Sequence, residues 1–302
     1  MSVINTNVSA LYSQNAMKTN ARAMNTVMEQ LSTGTRVNSA KDDAAGLAIG
    51  QNMTSQIRGL NQAVRNLNDG INMIQTAEGA MIEQSNMLQR MRELAVQAMN
   101  GTYSDVQRGY LNNEYQALST QIGKIASDTK WNDQVLLDAS QTQNGTVGSF
   151  KYQAGLASGQ TIVVTIAAMT LSGLAIGADA ATITPAVLST NGSVITAAVM
   201  GSPRISTAEG AATSLALVSA ALETINSQRA LLGAAINRMS YAADNLTNIS
   251  ANTTQSRSSI MDTDYALATT QLAKAQIIQQ AATAMLAQAN QQPQGVMALL
   301  KG

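Results

Sequence analysis

The sequence predicts a mainly α-helical protein: long antiparallel helical rods and a terminal coiled coil, with a small β-rich inserted outer domain. Three observations support this prediction. Apolar residues recur in alternating steps of three and four over most of the chain, charges nearly vanish in one central region, and aromatic residues make up only 3% of the composition. Long, thin helix–helix interfaces need little aromatic bulk, whereas a compact enzyme core usually carries more.

Composition excludes several classes of function. The 302 residues include no cysteine and no histidine, which removes thiol nucleophiles, disulfides, zinc sites built on these residues and histidine general bases. Eighteen basic residues balance eighteen acidic ones, so charge gives no case for nucleic acid or an anionic membrane as a partner. No apolar run is long enough to span a bilayer, and the N-terminus lacks the features of a cleavable signal peptide. We expect a non-enzymatic protein without metal or cofactor.

The first 33 residues predict a helix after a short start. A heptad-like stripe runs through Met17, Ala21, Met24, Met28 and Leu31. Gly34 is expected to end this helix, and its start is expected to be capped by one of Ser2, Asn5, Thr6 and Asn7. We interpret the methionines as packing residues rather than metal ligands.

A polar, turn-rich joint follows at residues 34–46. Asp42 and Asp43 are placed to begin the next helix at its positive end. Because adjacent side chains on a helix do not face each other, pairing with Lys41 or Arg36 is a better explanation of the two aspartates than a metal site.

The clearest pattern in the sequence is a long heptad repeat. It comprises Met53, Ile57, Leu60, Val64, Leu67, Ile71, Ile74, Glu78, Met81, Ser85, Leu88, Arg92, Ala95 and Met99. A strict seven-residue repeat implies a left-handed supercoil, and a helix of this length would be roughly 70 Å long. The turn signal Asn100-Gly101 ends it, and a shorter helix is predicted from about Ser104 to Asp128.

Residues 139–205 have a different composition, with few charges and many Gly, Ser, Thr, Val and Ile residues. The segments SFKYQAG (149–155) and QTIVVTIAA (160–168) predict short strands, and Asn144-Gly145 and Asn191-Gly192 predict turns.

Helical periodicity then returns, with Ser206 as the predicted N-cap and Glu209 three residues later. The new stripe is the natural antiparallel partner of the 47–99 rod, and it comprises Leu215, Val218, Leu222, Ile225, Arg229, Leu232, Ile236, Met239, Ala243 and Leu246.

The last helix has a weakly apolar stripe, built largely from alanine, that we expect to need a partner. It comprises Ala268, Leu272, Ala275, Ile278, Ala282, Met285 and Ala289. The chain thus runs out and returns, which places both terminal helices side by side. We assign residues 1–43 and 256–302 to an inner coiled-coil domain, 44–138 and 206–255 to a rod domain, and 139–205 to a variable outer domain.

Several stretches together resemble bacterial flagellin over roughly residues 1–138 and 206–302. They are VINTNVSAL, LSTGTRVNSAKDDAAGLAI, LNDGINMIQTAEGAM, LQRMRELAVQAMN, SRSSIMDTDYA and KAQIIQQAATAMLAQANQQPQ. The resemblance implies a structural subunit of the flagellar filament, a helical homopolymer that serves swimming motility. It also implies terminal segments that are disordered in the monomer and fold on assembly into a coiled coil. The expected assembly interface comprises Met17, Met24, Leu31, Leu272, Ala275, Ile278, Ala282 and Met285.

The resemblance also implies partners and a location. They are a flagellin export chaperone on the C-terminal helix, the flagellar type III export apparatus, the filament cap and hook-junction proteins, and secretion to the extracellular flagellum. Many flagellins are recognised by Toll-like receptor 5, and the matching residues here are Arg90, Leu94, Gln97 and Glu114. The first three share one helical face, which should be buried in a filament, so that only monomer would signal.

Two alternatives belong to other classes of protein. A hook–filament junction adaptor has a similar length and caps rather than polymerises, but the SAKDDAAG joint and the QQAATAMLAQANQ ending favour flagellin. Some flagellins carry a metallopeptidase in the outer domain, but this activity needs a His-Glu-x-x-His motif and the chain has no histidine.

Overall fold

The computed structural model describes residues 7–140, 142–143, 146–176 and 204–300. These residues form five helices, which confirms the mainly α-helical prediction: α1 (Val8–Thr33), α2 (Ala44–Met99), α3 (Asp105–Asp128), α4 (Ala208–Met261) and α5 (Tyr265–Leu300). The described chain divides into two compact units, Met1–Arg58 with Ile249–Gly302, and Gly59–Asn248. This division does not test the domain boundaries predicted from the sequence, which stay a prediction.

Three antiparallel two-stranded sheets lie between α3 and α4 in the described residues. Their strands are β1 (Lys130–Trp131) with β2 (Gln134–Val135), β3 (Thr142–Gln143) with β4 (Thr146–Val147), and β5 (Ser149–Gln153) with β6 (Thr161–Thr165). Strands β5 and β6 confirm the two strands predicted from the sequence. The predicted turns at Asn144-Gly145 and Asn191-Gly192 lie outside the described residues.

The ends of α1 and the start of α2 follow the sequence signals. The Asn7 side chain accepts a hydrogen bond from the Ala10 N–H at 3.0 Å and caps α1. Gly34, with φ of 71°, ends α1 in the left-handed conformation that glycine adopts without strain. The Asp43 carboxylate accepts from the Gly46 N–H at 2.8 Å, which satisfies one of the unpaired donors at the start of α2.

The predicted cap of α4 at Ser206 is wrong by one residue. The Thr207 hydroxyl, not Ser206, accepts the Gly210 N–H, at 3.1 Å. A full capping box occurs instead at α3, where the Ser104 and Gln107 side chains each accept from the other residue's backbone N–H.

Half of the predicted heptad stripe in α2 is correct and half is displaced. The positions Leu60, Leu67, Ile74, Met81, Leu88 and Ala95 are buried as predicted. The companion series from Val64 to Met99 is mostly half-buried or exposed, and the residues one position earlier are buried instead: Ala63, Gly70, Ala77, Gln84, Met91 and Ala98. Small residues occupy most of these inner positions because they let neighbouring elements approach, while larger side chains flank the contact.

Helix α4 shows the same displacement. Its predicted positions Val218, Ile225, Leu232 and Met239 are buried, but the predicted companions Leu215, Leu222, Arg229 and Ile236 are only half-buried. The residues just before these companions are buried: Ser214, Ala221, Gln228 and Ala235.

The predicted antiparallel pairing of α2 with α4 is confirmed within the second unit. Arg229 forms an ion pair with Glu78 at 3.6 Å, and the Met239 methyl group lies over Gly70. Residue numbers therefore rise along α2 as they fall along α4.

Polar side chains hold the β5–β6 hairpin and the segment after it against these helices. The Gln84 amide of α2 donates to the Met169 carbonyl at 3.1 Å, and the Gln228 amide of α4 donates to the Thr165 carbonyl at 2.8 Å. The Tyr152 hydroxyl donates to the Met73 sulfur at 3.0 Å, and burial raises the pKa of that hydroxyl. These three bonds therefore hold the hairpin and the segment after it against α2 and α4.

Candidate assembly interface

Helices α1 and α5 lie side by side and antiparallel, as the sequence predicts for the two ends of the chain. The Asn7 amide donates to the Ala289 carbonyl at 2.8 Å. The Asn20 amide donates to the Ala275 carbonyl at 2.8 Å and to the Gln279 side chain at 3.1 Å. A side chain of α1 can reach the backbone of α5 because alanine leaves that carbonyl open.

The seam between the two helices consists mostly of small, polar and flexible residues. Helices α1 and α5 are in contact along much of their length. On α1 the seam comprises Ala10, Ser13, Met17, Asn20, Met24, Val27 and Leu31. On α5 it comprises Ala268, Leu272, Ala275, Gln279, Ala282, Leu286 and Ala289.

The residues predicted for assembly therefore fall into two groups. Six of them lie in the seam within one chain: Met17, Met24, Leu31, Leu272, Ala275 and Ala282. Ile278 and Met285 lie outside the seam, where Gln279 and Leu286 occupy the inner positions. The Ile278 and Met285 side chains are 42% and 62% exposed. In both cases the inner position lies one residue later in the chain, and the assembly role of Ile278 and Met285 stays a prediction.

Ile278 and Met285 line a shallow apolar groove on the outside of the helix pair. The groove has a volume of about 440 Å³, and Tyr12, Ser13, Ala16, Ala281 and Ala282 complete its lining. Other large apolar side chains of the two helices are also exposed: Val8, Leu11, Met28, Tyr265, Leu267 and Ile277. Exposed apolar surface of this extent on one helix pair is typical of a protein interaction site.

The joint at residues 34–46 connects the end of α1 to the end of α4. The Arg36 guanidinium donates to the Ile260 carbonyl at 2.7 Å, and the Thr263 N–H donates to the Gly34 carbonyl at 3.0 Å. The predicted pairing of Arg36 with an aspartate is therefore wrong, because the last carbonyls of α4 lack helical partners and attract the guanidinium.

Asp42 of this joint accepts hydrogen bonds from a residue of the joint itself. Asp42 accepts from the Ser39 hydroxyl at 2.8 Å and from the Ser39 N–H at 2.9 Å. The Ser39 hydrogen bond lowers the pKa of Asp42, with Lys41 adding a smaller electrostatic contribution. The carboxylate thus helps to shape the turn before α2.

The residues predicted for receptor recognition lie where α2 meets α3. Arg90 donates to Glu114 at 2.9 Å and to Glu93 at 3.0 Å, and the Glu114 hydrogen bond is the main cause of the raised Arg90 pKa. Gln97 is exposed and donates to the Tyr103 hydroxyl at 2.9 Å. Leu94 differs from the prediction, because its side chain is 0% exposed. Helix α3 packs beside this end of α2, so the buried arc is wider than one heptad stripe.

Within the described ranges, no group of three acidic, histidine or cysteine side chains could hold a metal ion. None of the helices in that part of the chain has a stretch apolar enough to cross a bilayer.

Two family models match the chain: the bacterial flagellin N-terminal helical region over residues 4–142 and the C-terminal helical region over residues 215–300. Flagellin B of Vibrio cholerae serotype O1 is 34% identical, with 98% of this chain and 99% of the relative covered. The chain belongs to the bacterial flagellin family. Flagellin A of Vibrio anguillarum is 35% identical to this flagellin, with 99% of both chains covered.

The crystal structure of Bacillus cereus flagellin has a TM-score of 0.45 and 27% identity to this flagellin, and it covers 63% of this chain and 94% of its own. Family membership makes the chain a structural subunit that self-associates into the extracellular flagellar filament, and not an enzyme. The family match does not favour the junction-adaptor alternative.

The Asn20 hydrogen bonds predict a measurable contribution to the helix pair. Asn20→Ala removes bonds to Ala275 and Gln279, each worth about 0.5–1.5 kcal/mol. In polymerised chains, amide exchange in the middle of α5 should accelerate by about five- to thirtyfold. Asn15→Ala, at an exposed position of the same helix, is the matched control and should leave exchange unchanged. Equal exchange in both variants would show that the seam does not depend on Asn20.

Proposed function

We propose that this flagellin polymerises through the α1–α5 pair, whose outer groove receives a helix of a neighbouring copy. The supporting observation is the distribution of apolar residues. The seam within the chain takes up alanines and part of the large apolar side chains, whereas Tyr12, Ile278 and Met285 are left exposed on the outside of the pair. A second copy presents the same kind of surface, and burying these side chains would supply the free energy of assembly.

The helical pair described here corresponds in this proposal to the assembled form. Before assembly, the two terminal segments would be disordered, since a helix pair that leaves Tyr12, Ile278 and Met285 exposed buries too little apolar area to stay folded alone. In the filament, residues 1–43 and 256–302 form the inner coiled coil, 44–138 and 206–255 form the rods, and 139–205 face the solvent as the outer domain.

The same exposed surface suggests how the chain is handled before assembly. An unpolymerised α5 presents Leu267, Ile277 and Met285 to solvent, so an export chaperone that covers this helix would prevent premature association. We propose that the chain leaves the cell through the flagellar type III export apparatus. It then assembles beneath the filament cap, next to the hook-junction proteins.

Electron microscopy of the purified chain with short filament seeds tests this proposal. We expect long, uniform filaments from the full chain and none from a variant that lacks residues 262–302. Circular dichroism of the deletion variant should still show a folded helical second unit. Filaments from the deletion variant, or growth of the full chain limited to a cap on each seed, would contradict the proposal.

A second proposed function is recognition of the monomer by Toll-like receptor 5 through the surface at Arg90, Gln97 and Glu114. The Arg90–Glu114 ion pair joins α2 to α3 and orders these exposed side chains. Leu94 would support this surface from within, because its side chain is buried beneath it.

A further inference from the structure

Asn100 lies in an exposed turn that connects α2 to α3. The Tyr103 N–H donates to the Asn100 carbonyl at 3.4 Å and closes the turn. The Thr102 N–H donates to the Asn100 side-chain oxygen at 3.3 Å. This second bond folds the asparagine side chain back over the backbone of the following residue, Gly101.

Three features of this turn favour an intramolecular reaction. The Gly101 N–H donates no hydrogen bond within the residues that the structure describes. Apart from Gly101 and its chain neighbours Asn100 and Thr102, no residue has an atom within 4 Å of the position that a Cβ at Gly101 would occupy, so no other residue crowds this side of the turn. The Thr102 N–H is bonded to the oxygen on which negative charge would develop, as a donor that stabilises an oxyanion.

We propose that Asn100 is a site of self-catalysed deamidation. The deprotonated Gly101 nitrogen attacks the side-chain carbonyl carbon of Asn100, the bond from that carbon to the amide nitrogen breaks, and ammonia leaves. A five-membered cyclic imide remains. Water then opens one of its two carbonyl groups, which yields either aspartate or isoaspartate at position 100. The reaction needs only water.

The products change a well-ordered part of the α2–α3 connection. The Arg108 guanidinium donates to the Ala98 carbonyl at 2.8 Å and to the Asn100 carbonyl at 3.2 Å. Both products add a negative charge next to this guanidinium, and isoaspartate also lengthens the main chain between α2 and α3. The Gln97–Tyr103 hydrogen bond spans the same turn, so modified and unmodified chains would differ on the surface that carries Gln97.

The chain offers two internal comparisons. Asn144-Gly145-Thr146 has the same three residues as Asn100-Gly101-Thr102, and in denaturant the two asparagines should react at the same rate. Asp69-Gly70 forms the same imide in flexible peptides, but Gly70 lies within α2, and a Cβ there would meet Met239 and Tyr152. We expect no reaction at Asp69 in the native chain.

The experiment is incubation of the intact chain in mildly alkaline buffer, with and without urea, followed by peptide mapping for aspartate and isoaspartate. Asn100 should react in the native chain at least as fast as in urea, and Asp69 should react only in urea. A slower reaction of native Asn100 would show that the turn protects it and would overturn the proposal. Equal reaction of Asp69 in both conditions would overturn it as well, because sequence alone would then set the rate.

Gly101→Ala is the matched variant. Gly101 does not have a positive φ and a Cβ there meets no other atom, so this variant should unfold at the same temperature or slightly higher. The added methyl group hinders the nitrogen, and deamidation of Asn100 should slow by at least about tenfold. An unchanged rate in a folded Gly101→Ala chain would refute the mechanism.

Discussion

Met285→Asp should strongly weaken filament growth without removing a residue of the seam between α1 and α5. The Met285 side chain lies in the outer groove and is largely exposed, so the substitution removes no contact of the seam. In a filament, the same position would lose the burial of a methionine, worth about 1.5–3 kcal/mol. It would also bury a charge. The monomer concentration needed for seeded growth should rise by at least about ten- to hundredfold.

Met285→Leu is the control for this prediction, because it keeps the volume and the apolar character of the groove. Seeded growth, followed by light scattering and electron microscopy, should match that of the unmodified chain. If Met285→Asp polymerised at the same monomer concentration as Met285→Leu, the groove would not be an interface. Comparison of the circular dichroism of both monomers detects any change in helix content.

Leu94→Ala should have the largest effect on stability among the residues predicted for receptor recognition. Its side chain is fully buried, and removal of such a leucine typically costs about 2–5 kcal/mol of unfolding free energy. Val96→Ala, two residues along the same helix and 54% exposed, should change that free energy by no more than about 0.5 kcal/mol. Urea unfolding of the second unit, followed by circular dichroism, measures both.

Two variants, Arg90→Ala and Leu94→Ala, distinguish a receptor contact from a packing role. Arg90→Ala removes an exposed ion pair and should leave thermal unfolding nearly unchanged while receptor signalling by the monomer falls. Leu94→Ala should reduce signalling only at temperatures where the second unit begins to unfold. Strong signalling by Arg90→Ala monomers would argue against a receptor contact at this surface.

Sequence periodicity predicted which segments are helical and where they end, because helix length, caps and glycine breaks are local properties. Gly34, Asp43 and the Asn100-Gly101 turn all end or begin helices as expected. Periodicity did not predict which of two neighbouring positions faces inward. The choice between Gln279 and Ile278 depends on how closely the partner helix approaches, and that distance is a tertiary property.

Which α5 residues lie in the seam could not be predicted for the same reason, while the assembly role of Ile278 stays a prediction. A hydrophobicity count favours Ile278 over Gln279 in a seam, but a seam of alanine brings the backbones so close that an amide gains more by bonding to Asn20. The burial of Leu94 was missed for a different reason, because it depends on α3 as well as on the heptad of α2. The alanine spacing in α5, together with Asn7 and Asn20 on α1, was the signal that could have indicated a polar seam.

The α1–α5 pair leaves many of its large apolar side chains on its outer surface, in addition to those packed in its seam. Much of the removal of water from apolar side chains is therefore deferred until a second copy packs against this pair. Addition of a subunit to the filament should thus carry the large negative heat-capacity change that normally accompanies the folding of a domain. Under the proposed assembly, the final stage of folding and the growth of the filament would be a single thermodynamic event.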